Sequence, residues 1–239
     1  MELKGKVAIV TGAGGSIGSA LCKRLDAEGM TLVLIDKNQS ILDEVARSLH
    51  GTQHRLLVAD LTSETQISNL SVMVYSELHL PGLDFLFNIA GIGIYKKLKT
   101  LGVNEWRSSI ALNLNAPFYL TSALLPLFST SAITPMIFNI GSGMGVKPMK
   151  MRVAYCASKF GLRGMSLAMA EELKGKVDVC LLTLGSVLDE FGTGGLKYRL
   201  KLQKKGKKYL SIDQVADKIM EITKSERRKS EYTFYPEGY

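Results

Sequence analysis

Seven short apolar runs recur along the chain, each parted from the next by an amphipathic or polar stretch, and this alternation narrows the fold more than any other feature. The runs are "KVAIVTG" (6–12), "TLVLID" (31–36), "HRLLVAD" (54–60), "LDFLFNIAG" (83–91), "PMIFNIGS" (135–142), "VDVCLLTLG" (177–185) and "YTFYP" (232–236). Most run on without a regular polar break, which is how a strand buried on both faces reads. The stretches at 16–29, 38–50, 63–80, 104–128, around "YCASK" and at 211–225 repeat apolar residues at helical spacing. Strands alternating with helices predict an α/β chain, a doubly wound parallel sheet with helices on both faces. No linker-like stretch interrupts the pattern, so a single domain is expected over residues 1–239. Ligands of such sheets bind beyond the carboxyl ends of the strands. The loops at 92–103, 143–154 and 186–210 should therefore surround the site.

Apolar residues make up 46% of the chain, enough for a large core. No apolar run approaches the ~18 residues of a membrane span, and the N-terminus lacks the charged-then-apolar order of a signal peptide. A cytoplasmic location without membrane contact is the expectation. Cys22, Cys156 and Cys180 are odd in number and show no metal-ligand spacing. They read as buried thiols, and no metal site is expected. His50, His54 and His79 are scattered, and no catalytic role is expected of any.

The segment "TGAGGSIG" (11–18) joins the first strand to the first helix, the context a dinucleotide-binding turn requires. Gly12, Gly14 and Gly15 let the backbone turn tightly and approach a pyrophosphate facing the helix start. Asp36 ends the second strand. A carboxylate there accepts hydrogen bonds from ribose hydroxyls and repels a 2′-phosphate, which favours NAD over NADP. Two alternatives stay open: Lys37 turning toward a phosphate, and Asp36 serving only as a helix cap.

In "AYCASK" (154–159), Tyr155 and Lys159 share one helical face, and a phenol beside a cation loses its proton more readily. The same spacing recurs at Tyr95 and Lys99, so the company of Tyr155 must decide its meaning.

Taken together, these residues resemble the short-chain dehydrogenase/reductase family over nearly the whole chain. The family's glycine motif matches Thr11, Gly12 and Gly18, and its NNAG motif appears as "NIAG", Asn88 to Gly91. Asp60 matches its adenine-contacting residue. Its asparagine, serine and YxxxK motif fall on Asn113, Ser142, Tyr155 and Lys159. The resemblance implies a hydride exchanged between nicotinamide and a carbinol carbon, with Tyr155 as general acid/base. Lys159 would lower the Tyr155 pKa and hold the nicotinamide ribose, Ser142 would donate to the substrate oxygen, and Asn113 would hold a relay water. It also implies cofactor contacts at Gly12, Gly15, Ser16, Ile17, Gly18, Asp36, Asp60, Leu61, Asn88, Ala90, Gly91, Gly185 and Val187. The chain departs from the pattern in several places. Ser16 replaces a glycine, which would cap the helix or be strained if φ is positive. Ile89 replaces the second NNAG asparagine, and Gly141 precedes Ser142 where serine is common. Leu184 stands for a proline, and Asp189 for a threonine that contacts the nicotinamide amide.

The net charge is +8. Segments 95–99, 143–155 and 191–210 hold three, three and seven Lys or Arg and no Asp or Glu. Removing those thirteen leaves −5, so the basic surface belongs to the face that should receive substrate. An anionic substrate or carrier is expected: a phosphorylated compound, nucleotide sugar, coenzyme A thioester or acyl carrier protein. A solvated lid is the plainer alternative. No nucleic-acid motif accompanies the charge. The competing function is a dinucleotide-sensing binding protein that uses the basic face for a partner. Ala157, Phe160, Gly161, Gly164, Met165, Ala168 and Met169 form a small, apolar helix face, and the family resemblance implies a homodimer or homotetramer through it. Ordinary core packing would also explain that face.

Overall fold

The computed structural model describes residues 1–76, 82–128, 131 and 133–238; His79 and the last residues of the helical pattern at 63–80 lie outside them. The apolar runs form seven strands: β1 (Val7–Thr11), β2 (Thr31–Asp36), β3 (Arg55–Val58), β4 (Phe85–Asn88), β5 (Met136–Ser142), β6 (Asp178–Leu184) and β7 (Glu231–Phe234). All pair in parallel, in the order β3-β2-β1-β4-β5-β6-β7. The chain runs outward from β1 to β3, then returns to place β4 on the other side of β1. That reversal leaves a crevice above the carboxyl ends of β1 and β4, the switch point at which such sheets take ligands.

Alternate residues of each strand feed two separate cores. Ala8 and Val10 point into one, with Leu21, Cys22 and Leu25 of α1 (Ser16–Ala27), Leu42 of α2 (Gln39–Arg47) and Ile219 of α8 (Ile212–Lys224). Val7 and Ile9 point into the other, with Ile67 and Leu70 of α3 (Glu64–Ser76) and Leu120 and Leu124 of α5 (Ala116–Phe128). The helices therefore lie on both faces, and the central strands are buried throughout. Cys22, Cys156 and Cys180 are free and buried. His54 is a core histidine: its Nδ1 accepts from the Leu32 N–H, and its Nε2 meets the buried Asp26 carboxylate at 2.9 Å.

Two stretches differ from the sequence reading. The pattern at 104–128 is not one regular helix: α4 (Val103–Ile110) passes through a π-helical turn, Ala111–Asn115, into α5. The side chain of Asn113, inside that turn, exchanges hydrogen bonds with both main-chain groups of Ile92, which ties the widened turn to the loop after β4. The combined 26-residue run is long and apolar enough to cross a membrane by length and composition alone, and here Leu120, Leu124 and Phe128 pack into the core. The loop at 186–210 contains a helix, α7 (Gly195–Gln203), and a Val187–Leu210 bridge closes its two ends. Charges distributed around α7, and the left-handed glycines Gly194 and Gly195 at its start, hid it from a periodicity reading.

Candidate active site

Ser142 ends β5, where its hydroxyl accepts from the Met144 N–H and caps the short turn Gly143–Gly145. That turn lies directly on α6 (Val153–Glu172): a Cβ on Gly145 would stand 2.6 Å from the Lys159 carbonyl oxygen. Glycine at 145 is thus the condition for the strand end to reach the helix. The contact brings Ser142 and Tyr155 into the wall of one cavity, close enough for the Ser142 hydroxyl to act on the phenol. Lys159, one helical turn on, is 5% exposed and donates from Nζ to the Ile140 carbonyl of β5 at 2.8 Å. Its Nζ lies 5.9 Å from the Tyr155 ring centroid.

Burial governs the protonation of both groups. It pushes the Tyr155 phenol well above the ordinary phenol range; the nearby Tyr95 adds to this, and the neighbouring Ser142 hydroxyl opposes it. The Lys159 ammonium, desolvated, is brought down to about 8. Burial thus opposes the lowering of the Tyr155 pKa expected from Lys159. The Lys159 ammonium is turned to a strand carbonyl, and burial is the largest influence on the phenol. The phenol is held protonated, the state that donates a proton to a carbonyl oxygen.

Asn113 is fully engaged. Its Oδ1 accepts from Ile92 N–H at 2.8 Å, and its Nδ2 donates to Ile92 O and to Ser158 Oγ. Ser158 and Lys159 are neighbours on α6, so Asn113 fixes that helix against the π turn. Asn88 donates to Asn139, and Asn139 to Ser166, a buried chain joining β4, β5 and α6. The Asn88 Oδ1 meets no hydrogen-bond partner among the described residues.

The glycine turn fits a dinucleotide. Gly12 has φ +64°, and a Cβ there would come 2.8 Å from the Ala90 Cα. A Cβ on Gly18 would collide with the Gly12 carbonyl. Helix α1 starts after Gly15 with no side-chain cap and no acidic residue in its first turn, leaving its first N–H groups to an anion. Ser16 neither caps nor strains the turn: it is the first helical residue, and its φ is not positive. Thr11 Oγ1 accepts from the Ile89 and Ala90 N–H groups, so the apolar Ile89 leaves this tie intact. The Asp36 carboxylate accepts from the Gly14 and Asn38 N–H groups, which stations it over the glycine turn. Asp60 is tied to the Thr62 N–H and hydroxyl; these hydrogen bonds chiefly, and then the field of Lys37, hold its carboxyl below the usual range. Leu61 has its side chain in the core, so only its main chain faces outward.

A cavity of about 510 Å³ opens above Tyr155. It gathers Ser142, Tyr155 and Lys159 with Ile17, Gly91, Gly185 and Val187 of the expected cofactor contacts. Gly12, Gly15, Ser16, Gly18, Asp36, Asp60, Leu61, Asn88, Ala90 and Asn113 are not in its wall. Two wall residues with no role assigned from sequence pack directly on Tyr155. Tyr95 meets Tyr155 edge-on at 5.6 Å between centroids, and Phe191 tilts against it at 5.9 Å. Gly93 and Gly192 admit them: a Cβ on Gly93 would come within 2.9 Å of both residues, and one on Gly192 would overlap the Tyr95 ring. These glycines were the available signal. Asp189, the departure from the family threonine, accepts from the Phe191 N–H and pairs with Arg199 at 3.4 Å, shaping the loop that carries Phe191.

The basic loops are less focused than their sequence suggests. Of the thirteen Lys and Arg, only Lys147, Arg152, Arg199 and Lys207 line the cavity. Lys96 pairs with Glu105, and helical spacing on α7 turns Lys197, Lys201 and Lys204 to its outer face.

Residues 6–193 match the family described as short chain dehydrogenase. A D-threitol dehydrogenase of Mycolicibacterium smegmatis is 31% identical over 194 residues, 80% of this chain and 74% of that protein. An uncharacterized oxidoreductase of Staphylococcus epidermidis is 30% identical over 172 residues, 72% of this chain and 73% of its own. Among solved structures, a metagenomic short-chain oxidoreductase in complex with NADP has a TM-score of 0.82 at 30% identity, with 99% of each chain covered.

Proposed function

The chain belongs to the short-chain dehydrogenase/reductase family and is a nicotinamide-dependent oxidoreductase, and we propose that it moves a hydride between NAD(H) and a secondary alcohol or ketone bearing a negative charge. The observation that carries this reading is the gathering of Ser142, Tyr155 and Lys159 in the wall of one cavity. The nicotinamide ring supplies or accepts the hydride. The protein handles the proton. Tyr155 gives its phenolic proton to the carbonyl oxygen in reduction and takes it back in oxidation. Ser142 donates a hydrogen bond to the same oxygen as charge develops there. Lys159, poised near neutrality, takes the nicotinamide ribose. Since the Asn113 amide is committed to Ile92 and Ser158, a relay water at this residue would be held by its main chain in the π turn, not by its side chain. Gly12, Gly15, Ser16, Ile17 and Gly18 would hold the pyrophosphate; Asp60, Leu61, Asn88, Ala90 and Gly91 would flank the adenosine and its ribose; Gly185 and Val187 would border the nicotinamide.

NAD(H) is preferred because the Asp36 carboxylate stands over the glycine turn, where a 2′-phosphate would meet like charge. The metagenomic neighbour carries NADP, so the preference needs its own test. The wild-type chain should favour NADH over NADPH by at least about tenfold in kcat/KM, and Asp36→Ala should erase most of that factor. Equal use of both cofactors by the wild type would remove the preference.

We assign the homo-oligomeric contact to α6 and the neighbouring α4–α5 run, where Phe160, Gly164, Ala168, Trp106 and Phe118 are exposed. Sedimentation at micromolar concentration should give a dimer or tetramer that Phe160→Glu dissociates; a wild-type monomer would refute it.

A further inference from the structure

The cavity above Tyr155 carries more positive charge than proton transfer uses. Besides Lys159, its wall holds Lys147, Arg152, Arg199 and Lys207, against the carboxylate of Asp189. Asp189 is already committed to Arg199 and the Phe191 N–H, and Arg199 also donates to the Val187 and Phe191 carbonyls. Arg199 is therefore compensated and holds its loop in shape.

Arg152 and Lys207 are not compensated: neither has a carboxylate partner among the described residues. The Arg152 guanidinium lies 3.5 Å above the Tyr95 ring centroid, and among the described residues its one acceptor is the Met151 carbonyl, at 3.4 Å. Its Nε is buried and meets no acceptor among the described residues. Arg152 is also the N-cap of α6, where the helix dipole disfavours a cation and favours an anion, and the first turn holds no acidic residue. Lys207 sits at the rim with its ammonium 5.2 Å from the Tyr209 ring centroid. Partial burial, then the fields of Arg199 and Arg152, hold its pKa below the usual lysine value, so these cations act on one another. Mutually repelling cations with a free, buried donor are what a bound oxyanion would satisfy.

We propose that Arg152 and Lys207 form an oxyanion subsite, and that the substrate is a compact hydroxy or keto compound carrying its own carboxylate or phosphate. The proposal rests on the reading of this cavity as the place of hydride transfer. Compactness follows from the geometry. The Arg152 guanidinium is 3.5 Å from the Tyr95 ring, which is 5.6 Å from the Tyr155 ring, so the anion is held two ring contacts from the reacting oxygen. A thioester on coenzyme A or a carrier protein has its nearest phosphate beyond a long neutral pantetheine arm. Such a phosphate cannot lie on Arg152 while the thioester's carbonyl group meets Tyr155.

Binding to the full chain at constant ionic strength tests this without requiring turnover. The carboxylate arm compares acetoacetate with methyl acetoacetate, and the phosphate arm compares dihydroxyacetone phosphate with dihydroxyacetone. Acetoacetyl-coenzyme A is the carrier arm. In the wild type, at least one compact anion should bind about tenfold or more tightly than its neutral counterpart. Arg152→Gln with Lys207→Gln should abolish that difference while leaving the neutral compounds unchanged. The responding arm tells carboxylate from phosphate. Lys207→Gln alone, at an exposed position, should reproduce part of the loss and guards against misfolding of the double variant. The subsite is overturned if the wild type shows no anion preference, if the preference survives the double variant, or if only the coenzyme A thioester loses affinity. The two readings fail separately. Ketone-dependent NADH oxidation without anion preference keeps the reaction and loses the subsite. Anion binding through Arg152 and Lys207 without any turnover does the reverse.

Discussion

Tyr155→Phe will lower kcat for carbonyl reduction by about 10²–10⁴-fold, the usual worth of a positioned general acid, while leaving NADH binding and the unfolding midpoint close to wild type. The selectivity of the loss follows from what the hydroxyl touches. Tyr155 is 6% exposed, and its ring packs against Tyr95 and Phe191, contacts that phenylalanine keeps. Only the phenolic hydroxyl beside Ser142, with its transferable proton, is removed. Burial holds that proton on the phenol, so the wild-type chain enters reduction with its acid loaded. Absorbance of the reduced cofactor measures the effect. A variant within threefold of wild type would assign the proton to another group.

Gly18→Ala will do comparable damage at the opposite end of the crevice. A methyl group there collides with the Gly12 carbonyl, which is backbone and cannot swing aside. Gly12 cannot retreat either, because it has φ +64° and packs on Ala90. The turn must open, at a cost of about 1–3 kcal/mol by analogy with other overpacked sites. NADH affinity should fall at least tenfold, read by cofactor fluorescence, and the unfolding midpoint should drop with it. Ser16→Gly is the control. Ser16 is not at positive φ and makes no side-chain cap, so this variant should leave the unfolding midpoint close to wild type. Unaltered NADH binding by Gly18→Ala would mean that the phosphates are held elsewhere.

Much of this was legible in the sequence because local and tertiary demands coincide. A strand buried on both faces must be apolar throughout, which made β1 and β4 plain, and the partly buried edge strands β3 and β7 overlap the runs at either end of the sheet. The turn after β1 needs glycines that no other residue replaces, which made it visible before the sheet was known. Tyr155 and Lys159 were readable from helical spacing once Ser142 and Asn113 stood in order with them. What escaped was set by contacts distant in sequence. The π turn at Ala111–Asn115 follows from Asn113 reaching Ile92, and periodicity carries no trace of a hydrogen bond across 21 residues. Tyr95 looked like the chance half of a Tyr–Lys pair. Its partners, Arg152 and Tyr155, lie more than fifty residues on. Asp189 read as a lost cofactor contact, whereas its pairing with Arg199 gives it a place in the loop above the cavity. Counting charges by loop also overstated the basic face. A helix at 195–203 sends its lysines outward and Arg199 inward, and only its existence reveals that.

The most direct measurement follows the hydride itself. The chain is incubated with NADH deuterated on the transferred side of C4 and a compact keto acid or ketose phosphate, and the product is weighed by mass spectrometry. Direct transfer beside Tyr155 predicts deuterium retained on the new carbinol carbon with wild type, and formation of that product slowed in Tyr155→Phe. Cofactor consumed with no deuterium in the product, or equal labelling rates in both chains, would contradict it.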